Sequence, residues 1–187
     1  MQIMIASDIH GSASCCSQML DLYEKSGASR MLLLGDILYH GPRNDLPEQY
    51  SPREVIEMLN PLADEIWAVR GNCEAEVDQM VLDFPCMADY CILPLAHSER
   101  ILYATHGHVF CEDHLPPMKK GDALLYGHTH IWTAREERGY YFLNPGSVSL
   151  PKNGNERTLA FLEEDVFTIV NLEGNPIRQQ LLYAKSE

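Results

Sequence analysis

Five short apolar runs punctuate the chain, and each leads directly into an acid, a histidine or an asparagine. The runs occupy residues 3–6, 31–34, 66–69, 101–104 and 123–126. The segments that follow are Asp8-Ile9-His10, Gly35-Asp36, Gly71-Asn72-Cys73, His106-Gly107-His108 and Gly127-His128-Thr129-His130. Continuous apolar runs of this length, bounded by glycine or polar residues, predict strands buried on both faces. Five successive strands would then carry a ligand-type side chain at their C-terminal ends. In open α/β sheets that edge is where binding sites are built, so the five loops are expected to converge on one site.

Carboxylates, imidazoles and one side-chain amide suit divalent ions such as Mn²⁺, Fe²⁺, Co²⁺ and Zn²⁺. There is no CxxC pair, which argues against a structural zinc ribbon. The candidates Asp8, His10, Asp36, Asn72, His106, His128 and His130 number seven, too many for one ion. Shared between two ions with one carboxylate bridging, they leave room for water on each. Two ions roughly 3.5–4 Å apart clamp the attacking and leaving oxygens of a displacement at phosphorus. Any one of these motifs alone would read as a turn, a helix cap or a packed side chain. The constellation carries the reading.

The set D-x-H, G-D, G-N-C, H-G-H and G-H-T-H resembles the calcineurin-like metallophosphoesterase superfamily. Ser7-Asp8-Ile9-His10-Gly11, His40-Gly41-Pro42-Arg43-Asn44, Arg70-Gly71-Asn72-Cys73, Asn144-Pro145-Gly146-Ser147 and Pro151-Lys152 resemble its YfcE-type branch of small bacterial phosphodiesterases. The resemblance implies that Asp8, His10 and His130 hold one ion. It implies that Asn72, His106 and His128 hold the other, with Asp36 as the bridge. A water acidified by both ions would be the nucleophile. Manganese stands first among the implied ions, with Zn²⁺, Fe²⁺, Co²⁺ and Ni²⁺ as alternatives. The implied activity is hydrolysis of a small phosphodiester. Phosphomonoesterase and nucleotide pyrophosphatase activity remain open, because the ligands serve phosphorus chemistry in general. A metal-free scaffold of the kind found in retromer is a further alternative, and the intact ligand set speaks against it.

Asn72, Cys73, His106 and His108 are the candidate catalytic residues. Cys73 stands where many superfamily members have histidine, and a thiol of ordinary pKa near 8.5 is a poor substitute for an imidazolium. His108 reads either as a site residue or as a supporting loop residue. His40, Arg43 and Asn44 lie in a Pro- and Gly-rich loop, residues 38–50, where they could meet substrate phosphate. His97 and His114 read as surface residues.

A chain of 187 residues fits one domain, residues 1–187, with a large core. A net charge of −13 argues against a long nucleic-acid partner. No run of 18 apolar residues is present to span a membrane. Six cysteines lie without metal-type spacing, and no signal-peptide pattern opens the chain, so a reduced, cytoplasmic enzyme is expected. Self-association is implied by the YfcE-type resemblance alone. Helices are predicted over 14–26, from a capping box at Ser51 onward, and over 74–82. Further strands are predicted at 89–94, 100–105, 122–126, 140–143, 158–163, 166–171 and 178–183. The fold class is α/β. The four-layer αββα sandwich of two mixed sheets flanked by helices follows from the family resemblance.

Overall fold

The computed structural model describes residues 1–183. Its elements in chain order are β1 (Gln2–Ala6), α1 (Ala13–Ser26), β2 (Arg30–Leu33), α2 (Pro52–Leu59), β3 (Ile66–Ala68) and α3 (Glu76–Gln79). They continue with β4 (Tyr90–Pro94), β5 (Ile101–Thr105), β6 (Ala123–Leu125), β7 (Thr133–Glu137), β8 (Tyr140–Asn144), β9 (Thr158–Glu163), β10 (Val166–Asn171) and β11 (Pro176–Leu181). Two mixed sheets result. The six-stranded sheet runs β11-β10-β9-β1-β2-β3 and the five-stranded sheet runs β4-β5-β6-β8-β7.

The two-residue period of the strands sorts their side chains into layers. Ile3, Ile5, Leu32 and Leu34 face the second sheet and meet Leu102, Ala104, Leu125 and Leu143. Met4, Ala6, Met31 and Leu33 face the other way, onto Met19, Tyr23, Val55 and Leu59 of α1 and α2. Burying each such Leu, Ile or Met is worth roughly 1.5–3 kcal/mol, so the sandwich is held mainly by these apolar layers. The outer face of the five-stranded sheet is covered by irregular chain: Phe110, Leu115 and Met118 pack on Tyr103, Leu124 and Phe142.

The α1 helix begins where Ser12 Oγ accepts from the Cys15 backbone and ends at Gly27, whose φ of 69° is the left-handed conformation of a helix stop. Several local expectations are corrected. Ser51 precedes α2, and Pro52 opens the helix as expected, but the Ser51 side chain makes no cap hydrogen bond. Its backbone N–H instead donates to Gly11 O at 2.8 Å, tying this loop to the end of β1. The helix expected over 74–82 shrinks to α3, because the Glu74 side chain is committed to other loops. β3 is an edge strand with Trp67 partly exposed, not a strand buried on both faces. β7, with sequence TAREE, was not expected at all. The five ligand-bearing strands are not successive, since β4 intervenes and they divide between the two sheets: β1, β2 and β3 in one, β5 and β6 in the other.

Candidate metal centre

All seven candidate ligands meet where the parallel strands of both sheets end. Asp8 and His10 follow β1, Asp36 follows β2, Asn72 follows β3, His106 follows β5, and His128 and His130 follow β6. One half gathers Asp8, His10 and His130, each buried, with donor atoms within 4.8 Å of one another. The other half joins His106 Nε2 to Asn72 Oδ1 at 3.1 Å and to His128 Nδ1 at 3.3 Å. Asp36 stands between them. Its Oδ2 lies 3.7 Å from His10 Nε2 and its Oδ1 lies 3.5 Å from His106 Nε2.

The hydrogen-bond network shows that these atoms fit a cation. His10 Nδ1 faces the Tyr39 carbonyl at 2.7 Å, and His130 Nδ1 faces the Leu150 carbonyl at 2.5 Å. A carbonyl only accepts, so each Nδ1 carries a proton and each Nε2 is left with a lone pair. Yet the two Nε2 atoms face each other at 3.3 Å. His106 repeats the pattern: Nδ1 donates to Leu34 O at 2.7 Å, and its bare Nε2 confronts the Asn72 oxygen. Asn72 is oriented by donating its amide N–H to Cys73 Sγ at 3.2 Å. Asp8 Oδ1 is buried with no hydrogen-bond partner. Lone pairs aimed at lone pairs, around an unpartnered buried carboxylate oxygen, are stabilised by cations and by little else.

The ionisation states agree with that role. Burial alone raises the Asp8 carboxyl, but the imidazoles of His10, with Nε2 3.6 Å from Asp8 Oδ1, His106 and His130 outweigh it and hold Asp8 well below the usual carboxylate range. Burial depresses His128, reinforced by neighbouring His106, so this ring is neutral near pH 7 and ready to ligate. Burial likewise depresses His130 despite the nearby Asp8. His10 moves the other way: burial pulls it down, but the nearby Asp8 carboxylate and the hydrogen bond to the Tyr39 carbonyl raise it overall. Burial, with the charges of Asp36, Glu74 and Asp8, pushes the Cys73 thiol up, so it remains a neutral S–H at physiological pH.

The local backbone is unusual. Asp8, His10, Asp36, His128 and His130 all have φ between 50° and 63°, the left-handed region. Asp, Asn and His tolerate this region better than most residues, still at a cost of roughly 1–3 kcal/mol each. Hydrogen bonds from neighbouring loops hold it in place: Asp8 N to Gly35 O at 3.1 Å and His10 N to Asp36 O at 2.8 Å. Gly71 and Gly127 permit the close approach of these loops. A Cβ at Gly71 would collide with Asp36 and Glu74, and one at Gly127 with Ser7 and Asp8.

The remaining predicted residues fall into place around the ligands. Arg43, Asn44 and Cys73 line a cavity of about 470 Å³ that opens over Asp36, Asn72, His128 and His130. His40 packs its ring between Tyr39 and Tyr50, and Arg43 and Asn44 reach the cavity without it. His108 is exposed and does not line the cavity, its ring centroid 5.4 Å from that of His106. His97 and His114 are exposed.

Glu74 and Ser149 escaped sequence reasoning, while Asn144, Ser147 and Lys152 stood in the sequence motifs without a role. The buried Glu74 carboxylate accepts from Gly71 N at 2.5 Å, Ile37 N at 2.7 Å and Asp36 N at 2.9 Å, fastening the β2 and β3 loops together. Ser147 and Ser149 each donate to Asp8 O at 2.9 Å. Asn144 Nδ2 donates to Gly127 O at 2.8 Å, and Lys152 completes the cavity wall. An acid directly after Gly-Asn-Cys was the one visible signal for Glu74. A single carboxylate that serves three backbone donors has no sequence period to betray it.

The chain belongs to the calcineurin-like phosphoesterase superfamily, whose domain profile matches residues 1–166. It is 45% identical over 181 residues to phosphodiesterase YfcE of Escherichia coli K12, with 97% of each chain covered. The solved structure of YfcE, a phosphoesterase from E. coli, superposes with a TM-score of 0.93 at 43% identity, covering 98% of this chain and 100% of that one. Wild-type Vps29 of Entamoeba histolytica, solved with Zn²⁺, shares the fold alone, with a TM-score of 0.56 at 20% identity over 90% of each chain. Family and donor set together make the chain a metal-dependent phosphoesterase. Its six cysteines are unpaired, and among the described residues no helix is long and apolar enough to cross a membrane.

Proposed function

We propose that the protein hydrolyses small phosphodiesters with two divalent ions. Asp8, His10 and His130 would hold one ion, Asn72, His106 and His128 the other, and Asp36 both. The observation that carries this reading is the Asp36 carboxylate, whose two oxygens face different clusters of bare donor atoms. Ions bound there would acidify water and offset charge on the phosphoryl oxygens. Arg43 and Lys152, both exposed, form no ion pair among the described residues and are placed to draw an anion to a chain of net charge −13. The neutral Cys73 thiol is a weak proton donor, so esters of acidic alcohols are the favoured substrates. Manganese is the proposed ion and the cytoplasm the proposed compartment, with self-association of the chain.

The test is metal-dependent turnover. Purified, metal-depleted protein reloaded with Mn²⁺ should hydrolyse bis(4-nitrophenyl) phosphate faster than 4-nitrophenyl phosphate and bind two ions per chain. A preference for the monoester would replace the diesterase reading with a phosphomonoesterase. Hydrolysis of neither, with no ion retained, would make the chain a scaffold.

A further inference from the structure

A second cavity, of about 370 Å³, shares Cys73 with the cavity over the metal centre. Tyr39, Tyr50, Ile56, Val77 and Val81 line it, and its walls are mostly apolar. Cys73 belongs to both cavities, and its Sγ lies within 4.8 Å of ligand atoms of His10 and Asp36. The groove is therefore continuous with the site where the phosphoryl group must sit. Its apolar surface is left open: Val77 is 59% exposed, Tyr39 43% and Val81 38%, which is unusual for such side chains clustered beside a polar site.

The two cavities differ in charge. Arg43 and Lys152 line the first. In the groove the one charged group is Asp78, whose carboxylate already accepts from Ala75 N at 2.7 Å. An anionic arm is drawn to the first cavity and repelled from the groove, while an aromatic arm gains area against two tyrosines and three aliphatic side chains. We propose that the groove is the binding subsite for one esterifying arm of the substrate, an uncharged aromatic alcohol, while the other, more polar arm lies toward Arg43 and Lys152. This rests on the phosphodiester reading above, and it gives a physical reason for preferring diesters: a monoester has one arm and leaves one cavity empty.

The experiment uses the Mn²⁺-loaded protein and two competing anions that differ by one ring, methylphosphonate and phenylphosphonate. Their affinities are measured by inhibition of bis(4-nitrophenyl) phosphate hydrolysis and directly by calorimetry. Phenylphosphonate should bind about tenfold more tightly, the gain expected from burying part of one ring. Val77→Asn and Tyr39→Ser alter side chains at the open edge of the groove and leave the apolar layers intact. Each should bring the ratio close to one while methylphosphonate affinity stays within about twofold. A ratio near one in the wild type, or an undiminished ratio in both variants, would overturn the subsite. If Val77→Asn instead converts a dimer to a monomer in sedimentation and leaves the ratio unchanged, the groove is a contact between copies of this chain, and the subsite falls. Absence of diester hydrolysis with the phenyl preference intact would overturn the diester assignment alone.

Discussion

The two halves of the metal centre are built from similar residues but in different surroundings. The half formed by Asp8, His10 and His130 is closed. All three side chains are buried, their rings are pinned by the Tyr39 and Leu150 carbonyls, and Ser147 and Ser149 hold the Asp8 backbone from behind. The half formed by Asn72, His106 and His128 is open. Only His106 is fully buried, Asn72 is exposed, and its amide is steered by nothing firmer than the Cys73 sulfur. The difference teaches that a shared set of donor types does not make two equivalent sites. Orienting partners and burial set how much reorganisation each half requires before it binds.

The largest expected effect joins the halves. Asp36→Asn keeps the shape, tolerates the left-handed backbone and can still accept from Cys73 N through its side-chain oxygen, as Asp36 does at 2.9 Å. It removes the charge that faces both clusters. Activity should fall on the order of 10³-fold, the scale of losing a central electrostatic contributor, while the thermal midpoint of the metal-free protein stays close to wild type. Two ions per chain with normal turnover in this variant would break the idea that one carboxylate serves both halves.

Next in size is the separation of the halves themselves. His130→Ala and His128→Ala should each leave one ion per chain, and each should lower activity on the order of 10²-fold or more, since removing a ligand costs at least as much as removing its orienting partner. Graded chelation of the wild type should release the open half's ion first, giving two phases in metal analysis. A single phase, or loss of both ions in either variant, would show that the halves act as one.

The smallest effect sharpens the comparison through protons. Burial lowers His10, but Asp8 and the Tyr39 carbonyl raise it overall, so protonation of its Nε2 competes with an incoming ion up to a higher pH than at an ordinary histidine. Loading at a pH below that raised value should release a proton from the closed half, read from calorimetry in two buffers of different ionisation enthalpy. Burial and His106 keep His128 neutral near pH 7, so that ring should release none. On acidification the closed half should then weaken by up to about tenfold per pH unit. The sign reverses for the stability of the metal-free fold. A raised His10 contributes fully below its ordinary value of about 6.5 and loses that contribution as pH rises through the higher folded value. Equal proton release from both halves would contradict the assignment of the proton to His10.

Much of this architecture was legible in the chain. The buried strands β1, β2, β5 and β6 announce themselves as apolar runs because both of their faces are covered. Their C-terminal ligands are visible because Asp, Asn and His beside glycine mark the ends of those runs. Elements whose stability comes from partners were not legible. β7 is a charged edge strand defined by pairing with β8, and Thr133–Glu137 has no apolar period of its own. Trp67 looks like core in sequence, but it sits at position two of an edge strand and faces outward. Glu74 looks like the start of a helix, yet three backbone donors from two loops claim its carboxylate. Which half of the centre is closed depends on Ser147 and Ser149 folding back over β1, a contact between residues about 140 positions apart in sequence.

The left-handed backbone at Asp8, His10, Asp36, His128 and His130 has an evolutionary consequence. Asn and Gly enter that conformation readily. A lineage could therefore shed ligands one at a time by exchanging Asp or His for Asn or Gly, with no loop rebuilt and the apolar layers untouched. Loss of chemistry and loss of fold are uncoupled at these positions. A descendant without ions would inherit the same scaffold and an edge of loops free to be recruited for contacts of another kind.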